Sequence, residues 1–150
     1  MGVSKMGKVS IYIWLPLTAL VVLCLCVPLQ ARPSRDRVLG ELLITERAEE
    51  VRVNIGFNFP IRYVRHFPEA EGDELRIQLT PLAVGMADRD ALFKREAITV
   101  DQDNVADITE VIYEGVEIGG LVLTVYFTKS KSFSVKQGND YRSIQLVVKK

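Results

Sequence analysis

The sequence predicts an all-β protein, a small β-sandwich of short, mainly antiparallel strands. Three observations carry that prediction. Apolar and polar residues alternate in several runs, turn-forming residues interrupt the chain at short intervals, and helical periodicity is confined to one brief segment. Strands separated by about 8 to 12 residues with polar turns suit a sandwich or a barrel.

The first 31 residues stand apart from that pattern. "MGVSKMGK" carries Lys5 and Lys8, and Ile11 to Val27 is an uncharged, nearly all-apolar run ending at Pro28. Ala31 occupies a plausible cleavage position, so a removed secretory signal explains the segment. An uncleaved signal anchor explains it as well, because with Leu29 the run approaches the roughly 20 residues of a spanning helix. Arginines 32, 35 and 37 after the run offset the lysines before it, and the charge rule decides nothing. Either reading exports the remainder: residues 32–37 as a linker and 38–150 as one domain. Cys24 and Cys26 both lie in the apolar run, so the domain has no disulfide and no thiolate metal site. Residues 32–150 hold 17 basic side chains (19 less Lys5 and Lys8) against 19 acidic ones, a balance of −2. That is no footprint for nucleic acid.

Residues 38–50, "VLGELLITERAEE", fit strand or helix equally. "VRVNIGF" places Val51, Val53, Ile55 and Phe57 on one face, and "LRIQLT" does the same with Leu75, Ile77 and Leu79. Residues 88–97, "DRDALFKREA", predict one short helix with Asp88 as N-cap. "ITEVIY" (108–113) and "SFSV" (132–135) predict short strands, and "SIQLVVK" a last one with Ile144, Leu146 and Val148 inward. "LVLTVYF" (121–127) is apolar on both parities and predicts a central strand covered on both sides. "EAEGDE", "EIGG" and "KQGND" supply turns.

The segment richest in chemistry is "FNFPIRYVRHFP", residues 57–68, with four aromatic rings and the only histidine. Continued alternation from Val51 sends Phe57, Phe59, Tyr63 and Phe67 inward. It leaves Asn54, Asn58, Arg62 and His66 on the opposite, solvated face. Pro60 cannot donate to a ladder and bends or divides the run there. A nucleic-acid reading fails, since the RNA-recognition pattern matches only at Gly56, Phe57 and Phe59. "DQDNVAD" has Ala106 and Ile112 where a calcium loop wants Gly and Glu, so it is expected to be a solvated turn with no metal. With one histidine, no exported cysteine, no nucleophile elbow and no phosphate loop, the sequence predicts a non-enzyme with no cofactor. Seven acids and no base lie between Glu96 and Glu117, and six bases and one acid between Lys129 and Lys150. Neighbouring strands with complementary faces account for that segregation, and so does a basic edge that grips an anionic polymer.

The order of these pieces resembles a known family. An amphipathic strand ending "FNFPIRY", a "GDELRIQL" strand, and a close of "LVLTVYF…KSFSVKQGNDYRSIQLVV" are similar to the AMIN domains of the bacterial envelope. The turn "V-x-x-G-x-x-x-R-S-I" is the most specific part, and the resemblance spans about residues 38–148. It implies a compact β-sandwich that binds peptidoglycan or localises a host protein in the periplasm. Such domains accompany a larger functional region. None lies within these residues, so either a partner supplies it or the chain is a shortened relative. The reading expected from sequence is an exported, non-catalytic envelope module whose partner is cell-wall glycan or an envelope protein. Its ligand-binding candidates are Asn54, Asn58, Arg62, His66 and, near the last turn, Arg142. The alternative is a membrane-tethered assembly factor that offers an exposed strand edge. It touches the inner membrane only if the apolar run is retained.

Overall fold

The computed structural model describes residues 37–85, 89–116 and 120–150. The predicted signal or anchor, nearly all of the linker, and Asp88 lie outside them. Among the described residues eight strands follow one another: β1 (Leu39–Glu46), β2 (Glu50–Phe57), β3 (Ile61–Phe67), β4 (Glu71–Pro81), β5 (Arg95–Thr99), β6 (Ile108–Val116), β7 (Gly120–Gln137) and β8 (Ser143–Lys149). Every pairing among the described residues is antiparallel. The protein is all-β.

The strands form two layers that share β7. In the first the order is β1-β2-β8-β7, with β7 contributing Phe133–Gln137. In the second, β7 lies between β4 and β6, with β3 and β5 outermost. Expected as two strands, "LVLTVYF" and "SFSV" are therefore one strand of 18 residues. The intervening "TKSK" contains no Gly or Pro to break it, and each half finds different neighbours. Alternation is kept where it was read. Val51, Val53, Ile55 and Phe57 face Leu75, Ile77, Leu79, Leu121, Leu123 and Val125 within a single buried cluster, which Ile144, Leu146 and Val148 complete. The ambiguous 38–50 segment resolves as β1, because Leu42 and Ile44 can cover that cluster only by pairing with β2.

The predicted helix at 88–97 is corrected. Among the described residues of that segment only Asp90–Phe93 coil, as a single 3-10 turn, and Lys94 is already extended at ψ 153°. Arg95–Thr99 are drawn into a ladder with β6, where Glu96 and Ile98 turn inward. The 3-10 turn sits directly on β6 at Gly115, whose missing Cβ would overlap the Leu92 carbonyl. The buried Tyr113 hydroxyl donates to that same carbonyl at 2.8 Å.

Between β2 and β3 the chain crosses from the first layer to the second. The Phe57 N–H donates to Arg142 O and the Ile61 N–H to Tyr141 O, both at 2.7 Å, so the corner is fastened to the β7–β8 turn. Next to this corner, where the Asn58 N–H donates to Val38 O at 2.9 Å, both oxygens of Glu96 accept backbone N–H groups, from Val38 at 2.7 Å and Leu39 at 2.9 Å. This carboxylate clasps the start of β1 to the outer edge of β5.

Candidate functional site

The five candidate residues do not form one face. Asn54 is on the outward side of the first layer, whereas Arg62 is on β3 in the second layer, exposed. Phe57 and Phe59 are buried as expected, but Tyr63 is half-buried and Phe67 is 75% exposed. The cause is a β-bulge. Tyr63 opposes Leu79 and Arg65 opposes Gln78, so Val64 is an extra residue with no partner in β4. A bulge of this kind shifts the alternation by one. From there on His66 takes the inward position meant for Phe67, and Phe67 takes the outward one.

His66 is consequently a packing residue. Its Nε2 lies 2.9 Å from the Glu69 carbonyl and its Nδ1 2.6 Å from the Tyr63 hydroxyl. A carbonyl can only accept, so Nε2 carries the proton and, in the neutral ring, Nδ1 accepts from Tyr63. Burial holds the Tyr63 phenol above its ordinary value, which keeps it a donor. The ring edge meets Phe133 at a centroid distance of 6.4 Å.

Asn58 and Arg142 do come together, as a structural clip. The Asn58 amide donates to Arg37 O at 2.7 Å, and Arg142 Nη1 donates to Asn58 O at 2.9 Å. Asp140 accepts from the Arg142 N–H and the Ser143 hydroxyl, both at 2.9 Å, and these bonds hold its carboxyl below the usual range. The "GNDYRS" motif thus closes the β7–β8 turn and grips the β2–β3 corner.

The acidic "DQDNVAD" loop is also tied internally. Asn104 Oδ1 accepts from Ala106 and Ile108, and its amide donates to Asp101 O and Ile108 O. Asp107 sits at φ 56°, where its carboxylate meets Lys129 at 3.3 Å and Lys131. Those two ammonium groups depress its pKa. Among the described residues no group of three His, Cys, Asp or Glu side chains converges on a metal-sized site.

What remains is a row that crosses the outward face of the first layer. Leu43 on β1 opposes Asn54 on β2, which opposes Gln145 on β8, which opposes Lys136 on β7. Directly opposed side chains stand about 5 Å apart. Among the described residues, the Asn54 and Gln145 amides and the Lys136 ammonium have no side-chain partner, and Leu43 is 47% exposed. The chain matches no known protein family, no curated protein and no solved structure. The site is therefore read from its own chemistry. Two neighbouring amides offer both donors and acceptors, the lysine offers a cation, and the leucine an apolar platform. Alternation pointed to Asn54. Gln145 and Lys136 were legible only by knowing which strands are neighbours.

Proposed function

We propose that this protein is an exported, non-catalytic envelope module that binds peptidoglycan or localises a partner in the periplasm. The observation that carries the reading is the row Leu43–Asn54–Gln145–Lys136, whose polar groups are unclaimed by the rest of the fold. Glycan hydroxyl and N-acetyl groups pair with side-chain amides as both donor and acceptor. Stem-peptide carboxylates pair with an ammonium, and Leu43 covers an apolar sugar face. The likeness of the closing motif to AMIN domains supports the same ligand class. Of the six bases near the C-terminus, Lys129 and Lys131 are engaged by Asp107, Lys150 by Glu46, and Arg142 by the Asn58 carbonyl. Lys136 and Lys149 remain for a ligand.

The test is sedimentation with purified sacculi at low salt. The protein is expected in the pellet, and the double variant Asn54→Ala/Gln145→Ala in the supernatant with its thermal midpoint unchanged. Wild-type protein that stays in the supernatant ends the glycan reading.

A further inference from the structure

The start of β1, the β2–β3 corner, the end of β4, the 3-10 turn and the β7–β8 turn meet at one end of the molecule. Main-chain bonds fasten them there. The Asn58 N–H donates to Val38 O and the Leu82 N–H to Pro60 O, both at 2.9 Å, and the Ile61 N–H to Tyr141 O at 2.7 Å. Three large apolar or aromatic side chains stay exposed on this end: Leu82 at 48%, Tyr141 at 53% and Phe93 at 61%. Leu82 and Phe93 line one open depression together with Arg89. Their neighbours Val84 and Leu92 pack on the core, whereas these side chains project away from it.

Charges are sorted by end as well. Among the described residues, Arg37, Arg89, Lys94 and Arg142 are exposed here and have no carboxylate partner. Of the acids at this end, Glu96 is bound to the β1 backbone, Glu114 to Arg95 and Asp140 to its own turn. Only Asp90 stands open among the described residues. At the far end the balance reverses. Glu49, Glu69, Asp73, Asp101 and Asp103 are exposed there without a cationic partner, against Arg47 and Lys149. The two ends lie a strand length apart, about 25 Å for eight residues and several Debye lengths at physiological salt. Each therefore shows its own sign to a partner.

A lipid surface has the chemistry that this end lacks. Aromatic and leucine side chains bordered by arginine and lysine suit a membrane interface, where rings enter the headgroup level and cations meet phosphate. The chain also enters the domain at Arg37, on this same end. Leu29, the last residue of the apolar run, is eight positions upstream. Held in a bilayer, that run keeps Arg37 within about 28 Å of it along the chain. Anionic headgroups repel the open acids of the far end, which selects the end that faces the lipid.

We propose that the Arg37 end is a membrane-contacting surface for anionic phospholipid. Leu82, Phe93 and Tyr141 enter the interface, and Arg37, Arg89 and Lys94 pair with headgroup phosphate. The proposal builds on the retained-anchor reading of residues 11–29. It leaves the glycan-binding row open, since that row lies on the outward face of the first layer.

The experiment is fluorescence quenching of the full chain in vesicles of acyl-chain-brominated phosphatidylcholine, with and without about one-third phosphatidylglycerol. Trp14→Phe removes the only tryptophan, and Phe93→Trp or Leu82→Trp supplies a reporter. In anionic vesicles each reporter is expected to lose about half of its emission relative to unbrominated lipid, and in neutral ones about a tenth. Val105→Trp, an exposed position at the far end, is expected to lose none in either. Arg89→Glu with Lys94→Glu is expected to return the Phe93→Trp signal to its level in neutral vesicles. Flotation with the vesicles is scored separately. A chain that floats with neither composition lacks the anchor, and one that floats unquenched has the anchor without the surface. Both outcomes overturn the proposal. So does equal quenching in the two lipids, or equal quenching of Val105→Trp.

Discussion

Asn58 and Asn54 lie four residues apart, and their side chains do opposite things. The Asn58 side-chain amide is spent on the Arg37 carbonyl, while the Asn58 main-chain carbonyl accepts from Arg142. The Asn54 amide is free among the described residues. Removing the first is therefore expected to cost stability and, if the proposed glycan reading holds, removing the second to cost binding. Arg142→Ala is expected to destabilise the fold by about 1 kcal/mol, the usual net value of an ordinary hydrogen bond, because solvent at this exposed position offsets the extra strength of a charged donor. Its pelleting with sacculi should not change. Urea unfolding together with the pull-down checks both, and weaker pelleting at full stability would return Arg142 to the ligand site. The distinction was not legible in the sequence. Alternation shows which way a side chain points. It does not show whether a distant carbonyl, such as that of Arg37 across the β1–β2 pair, is waiting to accept from it.

At the level of the element, the Val64 bulge explains the largest departure from expectation. Strict alternation was the right rule for β2, β4 and β8, because nothing interrupts their ladders at the buried positions. It failed in the second half of β3 because one added residue moves every later side chain to the other face. Deleting Val64 is expected to leave the inward set unchanged, since Tyr63 and Arg65 already oppose consecutive residues of β4. Such a variant should stay within about 1 kcal/mol of the parent. Deleting Arg76 from the middle of β4 should instead expose part of the core set and unfold the domain. Thermal unfolding of the two deletions tests this, and equal damage from both would refute the bulge assignment. The missed helix has a different cause. The acid and base spacing in "DRDALFKREA" fits a helix locally, but Arg95–Thr99 gain a full ladder with β6 and bring Glu96 to the backbone of β1.

Across the whole molecule, the uneven distribution of charge resolves at one place above all. Asp107, from the acidic half, meets Lys129 and Lys131 of the basic half, and Asp140 is held by its own turn. Both carboxyls titrate below the ordinary 3.8 in the folded chain. A depressed carboxyl contributes stability that is complete above its unfolded value and is lost as pH falls through the folded one. Unfolding should therefore become easier from about pH 5 downward, and Asp107→Asn should flatten that decline relative to wild type. Urea midpoints between about pH 3 and pH 6 measure it, and parallel curves would contradict the linkage. The all-β class, most strand positions and the Pro60 corner were legible because they depend on neighbours in sequence. The sharing of β7, the Glu96 clasp and the Arg37 end were not, because each joins residues tens of positions apart.

The order β1-β2-β8 in the first layer bears on force. β1 begins beside Phe57 at one end of β2, and β8 finishes beside Glu50 at the other. Both flank β2 and run antiparallel to it. Tension applied at Arg37 and Lys150 therefore slides β1 and β8 in opposite directions along β2. The load passes through both ladders in turn and is shared among the bonds of each, where a hairpin pulled open at its ends would release one bond at a time. A domain tensioned between those two positions would meet strain in its most resistant direction.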